Sequence, residues 1–160
     1  AGVESGMIPI YHSHMEAWKV TDRDLLESAM KNTPRLFPCE TIPMEKVMEN
    51  MIRELSEEMR EEVLQKMSMV ILTNSAKTYG ACSVLYPGVL EQMAERIGGD
   101  FYLIPSSVHE FLLLPREQER GEEELKKTIA EVNRTEISPE EVLSDHLYLY
   151  CCREKQVRIV

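Results

Sequence analysis

The chain reads as a single α+β domain with a largely antiparallel sheet of about five strands covered by helices. Three observations predict this. Helical patterns come first, followed by strand, helix, hairpin, helix and hairpin, an order unlike the strict alternation of parallel βαβ units. Two pairs of apolar runs flank short polar connections, which is the signature of antiparallel hairpins. The stretch 69–109 carries only 3 acids and 2 bases in a chain that is 29% charged, so it supplies the buried centre.

Taken in order, Thr21 is placed to cap a helix whose first turn holds Asp22 and Asp24, where acids suit the helix dipole. Leu25, Leu26, Ala29 and Met30 form its apolar side, and Asn32-Thr33-Pro34 is expected to end it, because the residue before proline disfavours helix. Pro34, Pro38 and Pro43 predict an extended run over the surface. Met44, Val47, Met48, Met51, Ile52, Leu55, Met59 and Val63 then recur at helical spacing, predicting one helix from about Met44 to Lys66, supported by the pairs Glu49–Arg53 and Glu62–Lys66. The like-charged pairs Glu57–Glu61 and Glu58–Glu62 weaken it, with a break expected near Ser56. The methionines of this stripe read as core, with an adaptable groove as the alternative.

Met69-Val70-Ile71-Leu72 reads as a buried strand. Residues Gly80 to Leu85 fit either a strand or a helical turn. Pro87 suits the first position of a helix with Val89, Leu90, Met93, Ala94 and Ile97 inside, stopped by Gly98-Gly99. Phe101–Ile104 and Phe111–Leu114 form a hairpin around Pro105–Glu110. Glu122 to Asn133 is a helix with Leu125, Ile129 and Val132 inward, and Ser138-Pro139-Glu140-Glu141 has the cap, proline and glutamate of another helix start. Leu147–Tyr150 and Val157–Val160 close the chain as a second hairpin.

Composition narrows the classes of function. The 160 residues carry 18 Lys and Arg against 28 Asp and Glu, a net charge of −10. The acidity is spread over every segment, so neither an acidic tail nor a DNA-mimicking stripe is indicated. An acidic surface is a poor partner for nucleic acid or an anionic membrane, both of which need basic stripes. No apolar run approaches the roughly 18 residues of a membrane helix. Cys39, Cys82, Cys151 and Cys152 form no C-x-x-C pair and no disulfide framework, and are read as reduced thiols of a cytoplasmic protein. Residues 1–7 read as a disordered lead-in and 8–160 as the domain. Because the chain starts at Ala1 rather than Met, it is expected to be a processed protein or an excised fragment of a longer one. The sequon Asn133-Arg134-Thr135 would matter only in a secreted protein and is set aside for a chain read as cytoplasmic.

Three groups of residues invite a chemical reading. His12 and His14 would share one face of a strand and reach one metal ion, but no third ligand lies near, so packing and solvent exposure are the plainer reading and no metal is expected. Ser106, Ser107, His109 and Glu110 combine nucleophile, base and acid types, yet triads are assembled from distant segments and no G-x-S-x-G elbow is present. A polar loop used for binding is the better fit. At Cys151-Cys152, one thiol should face the core and the other solvent. No G-x-G-x-x-G, Walker loop or H-E-x-x-H occurs, so no cofactor is expected.

Four stretches together carry a resemblance: Asn32–Pro38; Thr73-Asn74 through Tyr79-Gly80-Ala81 to Leu85–Gly88; Pro105–Glu110; and Glu131–Asn133 with Pro139–Asp145. Over roughly residues 8–150 the chain resembles a domain-of-unknown-function family of anaerobic Gram-positive bacteria whose members are longer, which implies that it is the C-terminal part of a longer protein. More faintly, it is similar to an uncharacterised cytosolic family of bacilli. Neither implies an activity. The resemblance marks Thr73–Gly80 and Pro105–Glu110 as defining features. The reading that follows is a non-enzymatic binding module for an unidentified protein or small molecule, with Asn74, Tyr79, Ser106, Ser107, His109 and Glu110 as its candidate surface. The alternatives are a hydrolase-like enzyme using His109 and Glu110, a metal enzyme using His12 and His14, and a scaffold for an N-terminal region.

Overall fold

A computed structural model describes residues 8–60, 68–117 and 121–160. The chain packs as two compact units, Ala1–Leu36 and Phe37–Val160. Helices α1 (His12–Trp18) and α2 (Asp22–Leu36) belong to the first. Thr21 caps α2 as expected: its hydroxyl accepts from the Asp24 N–H, and the Asp24 carboxylate accepts from the Thr21 N–H at 2.8 Å and its hydroxyl at 2.7 Å. Those donors hold the Asp24 carboxyl below the usual range. Pro34 does not end the helix, which continues to Leu36. In a final turn a proline forfeits a single i→i−4 bond, and little helix remains beyond it to disrupt.

The second unit is built on a six-stranded antiparallel sheet, one strand more than expected. The order is β1 (Cys39–Pro43), β2 (Val70–Asn74), β4 (Glu110–Pro115), β3 (Phe101–Ser107), β5 (Tyr148–Cys151), β6 (Gln156–Ile159). The added strand is β1, which the prolines disguised. The Ser75 N–H donates to the Pro38 carbonyl and the Met44 N–H to that of Met69, so Pro38 and Met44 face β2 and, by alternation, Pro43 faces away from it. The N–H that proline lacks would have pointed off the edge, the one place in a sheet where it is dispensable.

Each face of the sheet has its own cover. Leu72, Phe101, Leu103, Leu113 and Tyr150 share one face with Ala81, Met93 and Ala94. Ala81 belongs to a 3₁₀ helix over Gly80–Leu85, which resolves that ambiguous stretch as helical, and the other two to α5 (Val89–Ile97). Gly88, with φ 78°, occupies the cap of α5, so Pro87 lies just before the cap rather than inside the helix. Gly98, with φ 90°, ends it, and the N–H groups of Gly98 and Gly99 both reach the Ala94 carbonyl. On the opposite face Tyr102, Leu114, Leu149 and Cys151 pack with Leu147 and with Leu125 and Ile129 of α6 (Glu122–Thr135). Val132, expected inside, is 37% exposed. Each fully buried leucine contributes about 2 kcal/mol by removal from water.

Two helical expectations fail. The stripe from Met44 divides unexpectedly at Met48 into α3 (Met44–Val47) and α4 (Glu49–Arg53), while the break foreseen near Ser56 is present at 54–56, with helix resuming over 57–60. The breaks turn the apolar positions out of line: Ile52 is buried, while Met51 and Met59 are exposed, contrary to the core reading of the methionines. Val63, Met67 and the Glu62–Lys66 pair lie outside the described residues. The Arg60 guanidinium donates to the carbonyls of Ile52 and Arg53 where α4 ends, the Ile52 carbonyl also accepting from the Leu55 N–H. The second failure is at Ser138, where a single turn, closed by the Glu141 N–H on the Ser138 carbonyl, replaces a helix. The carbonyl of Glu141 is instead taken by the Val108 N–H at 2.8 Å, which draws the chain across the β3–β4 turn.

Gly80 is wedged between strands. A Cβ there would lie 2.6 Å from both the Asn74 nitrogen and the His109 carbonyl oxygen and would overlap the Thr73 hydroxyl. Gly80→Ala should therefore cost about 3 kcal/mol by overpacking, read as a lower urea midpoint at unchanged slope.

Candidate functional site

The two loops singled out in the sequence meet. Thr73 Oγ1 donates to the His109 carbonyl at 2.8 Å, and the Ala81 N–H donates to the Val108 carbonyl at 3.3 Å. The Tyr79 N–H donates to His109 Nδ1 at 2.9 Å, and the two rings lie 5.5 Å apart. Tyr79 sits at φ 50°, a conformation side chains seldom adopt, so the His109 acceptor helps to hold it. A ring nitrogen that accepts carries no proton, which places the His109 proton on Nε2, 3.4 Å from Glu141 Oε1. Glu141, read in the sequence only as part of a helix start and not as a site residue, is thus the acid at this ring. Glu110 instead accepts from the Ser106 hydroxyl at 3.3 Å, and Ser107 Oγ accepts from the His109 N–H at 3.0 Å.

Asn74 serves the loop from within. It is 2% exposed. Its Oδ1 accepts from the N–H of Ala76 at 3.0 Å and of Thr78 at 3.4 Å, while its Nδ2 donates to the Thr78 carbonyl at 3.0 Å. This is an asparagine turn closed on its own backbone.

Beside the loop pair lies an apolar groove of about 600 Å³. Its walls come from the 3₁₀ helix (Ala81, Val84, Leu85), from Leu90, and from Leu103, Phe111, Tyr148 and Val157 of the sheet, with Tyr79, Val108 and Leu143 at the rim. None of its lining residues is charged. Leu85 at 61% and Tyr79 at 52% remain widely exposed. The hydroxyls of Ser144 and Tyr148 hydrogen-bond each other at 2.8 Å on the groove wall, and Ser144 Oγ also accepts from the His146 N–H and lies 3.3 Å from its Nδ1. The groove escaped sequence reasoning because its residues come from five separated segments whose apolar character read simply as core. Leu143 and Ser144 sit in the stretch expected to be helical.

His12 and His14 are not on a strand. Both lie in α1, where positions two apart point about 200° apart around the axis. His14 Nδ1 accepts from the Tyr11 N–H at 3.3 Å and its ring stacks on Trp18. Among the described residues, no three His, Cys, Asp or Glu side chains gather as metal ligands.

All four cysteines are free thiols. Cys151 is buried on one face of the sheet, while Cys152, expected to face solvent, is half-buried against the core cluster of the other face, because both faces are covered. Cys152 donates both its N–H and its thiol to Asp100 Oδ1, at 2.9 and 2.8 Å. The carboxylate raises the Cys152 thiol above its ordinary range and is itself held low by these two donors, with a smaller contribution from Arg116. Burial is the main influence that raises the Cys39 thiol. It also pushes the Tyr86 phenol up to about 12, with the Cys82 thiol beside it adding to the shift. Tyr86 donates to the Phe37 carbonyl at 3.0 Å. Among the described residues no helix is long and apolar enough to cross a membrane.

Compared with known protein families, the chain matches the model of DUF5688, a family of unknown function, over residues 2–152. No curated protein and no solved structure matches.

Two outcomes are expected here. Asn74→Ala should lose about 2 kcal/mol in chemical denaturation, because the N–H groups of Ala76 and Thr78 and the Thr78 carbonyl all lose a partner. Asp100→Ala should lower the Cys152 thiol toward its ordinary range, which enlarges the thiolate fraction at mildly alkaline pH. Iodoacetamide should then label Cys152 faster in the variant than in the parent protein, as followed by peptide mass analysis.

Proposed function

Because the chain belongs to DUF5688, a family without an assigned activity, its own geometry has to carry the functional reading, and we propose that it is a non-enzymatic binding module that holds a small apolar molecule in the groove beside the Tyr79–His109 loop pair. The observation that carries this is the lining. A concavity of about 600 Å³ is of ligand size, its walls are aliphatic and aromatic, and its few polar side chains are hydroxyls and the Cys82 thiol. An uncharged ligand with an aromatic or aliphatic body and one hydrogen-bonding end suits this wall, with Ser144 and Tyr148 at the polar end. Apolar side chains left open along a concave rim are the ones that gain from an occupant, since each has still to leave water.

Binding rather than catalysis is favoured by how the polar groups are occupied. The His109 ring is engaged on one nitrogen by the backbone of Tyr79 and faces Glu141 with the other. Ser107 serves the turn as an acceptor and Ser106 is directed to Glu110. These bonds stiffen the two loops, and a stiff rim lowers the ordering cost of binding.

The uncharged fluorophore N-phenylnaphthylamine tests the proposal. It should bind saturably with a rise in emission. Leu85→Glu and Leu143→Glu, both at exposed positions, should each weaken binding about tenfold with an unchanged melting temperature, because one leucine side chain no longer shields the bound molecule from water. Absence of saturable binding, or equal affinity in folded variants, would overturn it.

A further inference from the structure

The two edges of the sheet are not alike. β1 ends in Pro43, and its Thr41 hydroxyl accepts from Arg96 Nη1 at 2.8 Å, so that edge is short of donors and partly engaged. At the other edge β6 pairs, among the described residues, only with β5. The Val160 N–H donates to the Leu147 carbonyl, so Val160 and, by alternation, Arg158 and Gln156 turn their backbone groups toward β5. The N–H and C=O of Val157 and Ile159 therefore point outward. All four β6 residues are exposed, with Val157 at 44% and Ile159 at 59%. Proteins commonly protect such an edge with proline, a bulge or a cover, because it is a template for a further strand.

The chemistry along this edge selects what it takes. In a chain of net charge −10, residues 153–159 hold Arg153, Lys155 and Arg158 against the single acid Glu154. Val157 and Ile159 lie on the groove side of the sheet, in register with Tyr150 and Tyr148, and Arg158 lies on the other side. Two copies joined edge to edge would set basic strand against basic strand, which charge opposes. We propose that the β6 edge binds an extended acidic peptide segment of a partner protein as a seventh strand. The segment would alternate apolar residues, beside Val157 and Ile159, with acidic residues beside Arg158, while its backbone takes the outward groups of Val157 and Ile159. This site is separate from the small-molecule groove, although Val157 borders both.

Fluorescence anisotropy of the whole chain with a short labelled peptide of alternating Val and Glu tests the assignment, with alternating Val and Lys as the comparison. The Glu peptide should bind about tenfold or more tightly than the Lys peptide, with the difference shrinking as salt rises. Val157→Pro removes an outward N–H without removing a β5–β6 bond, and should weaken the Glu peptide about tenfold or more. Arg158→Glu leaves the backbone unaltered and should reverse the peptide preference, so the test stands even if the proline variant fails to fold. Leu85→Glu should bind the peptide as the parent does, whatever it does to the fluorophore, so failure of one site is distinguishable from failure of the other. The proposal is overturned if the parent protein binds both peptides equally, if folded Val157→Pro binds as well as the parent, or if Arg158→Glu keeps the preference. Sedimentation showing a dimer that Val157→Pro dissolves would overturn it in favour of a second copy.

Discussion

Everything of interest in the larger unit is organised around the contact at Gly80, where the end of β2, the start of the 3₁₀ helix and the β3–β4 turn come close enough that even a methyl group does not fit. The Thr73 hydroxyl closes that contact on the His109 carbonyl, the Ser83 hydroxyl closes it on the Thr73 carbonyl at 2.9 Å, and the Ala81 N–H closes it on Val108. Thr73 and Ser83 are almost completely buried, and each has its hydroxyl satisfied, so the junction avoids the penalty of interior polar groups without partners. From this junction the 3₁₀ helix is laid over the sheet, Tyr79 is brought to the His109 ring, and the wall of the groove is set.

The sheet distributes two tasks between its faces. The face under α6 is packed shut by Leu125 and Ile129 against Tyr102, Leu114 and Leu149. The face under α5 and the 3₁₀ helix is covered only in part, because those elements lie over Phe101, Leu103 and Leu113 and stop short of Tyr148 and Val157. The remaining strip is where apolar side chains stay within reach of solvent. The proposed binding surfaces occupy that strip and the strand edge bordering it, where burial and backbone pairing are still incomplete.

Much of the fold was legible because its signals are local. The hairpins of Phe101–Leu114 and Leu147–Val160, the double-glycine stop after α5 and the Thr21 cap each depend on a few neighbouring residues, and all are present. The errors arose where a long-range contact outweighed a local signal. Pro43 argues against a strand until it is known to face outward from an edge. Ser138-Pro139-Glu140 argues for a helix until Glu141 is drawn away by the Val108 N–H. Of the candidate residues, Tyr79, Ser106, Ser107, His109 and Glu110 were legible as a polar loop pair, while the buried role of Asn74 and the approach of Glu141 were not, since side-chain burial and partners far along the chain leave no mark on local pattern.

By itself the sequence determined the α+β class, the antiparallel hairpins, the spread acidity and the charge-poor centre, because period, turn residues and charge act over a few positions at a time. Only the tertiary structure decided that a sixth strand forms, that the two loops join at His109, and that scattered apolar residues leave a groove. Those outcomes depend on which distant surfaces pack, and packing is settled by the fit of whole elements against one another rather than by any residue's nearest neighbours in the chain.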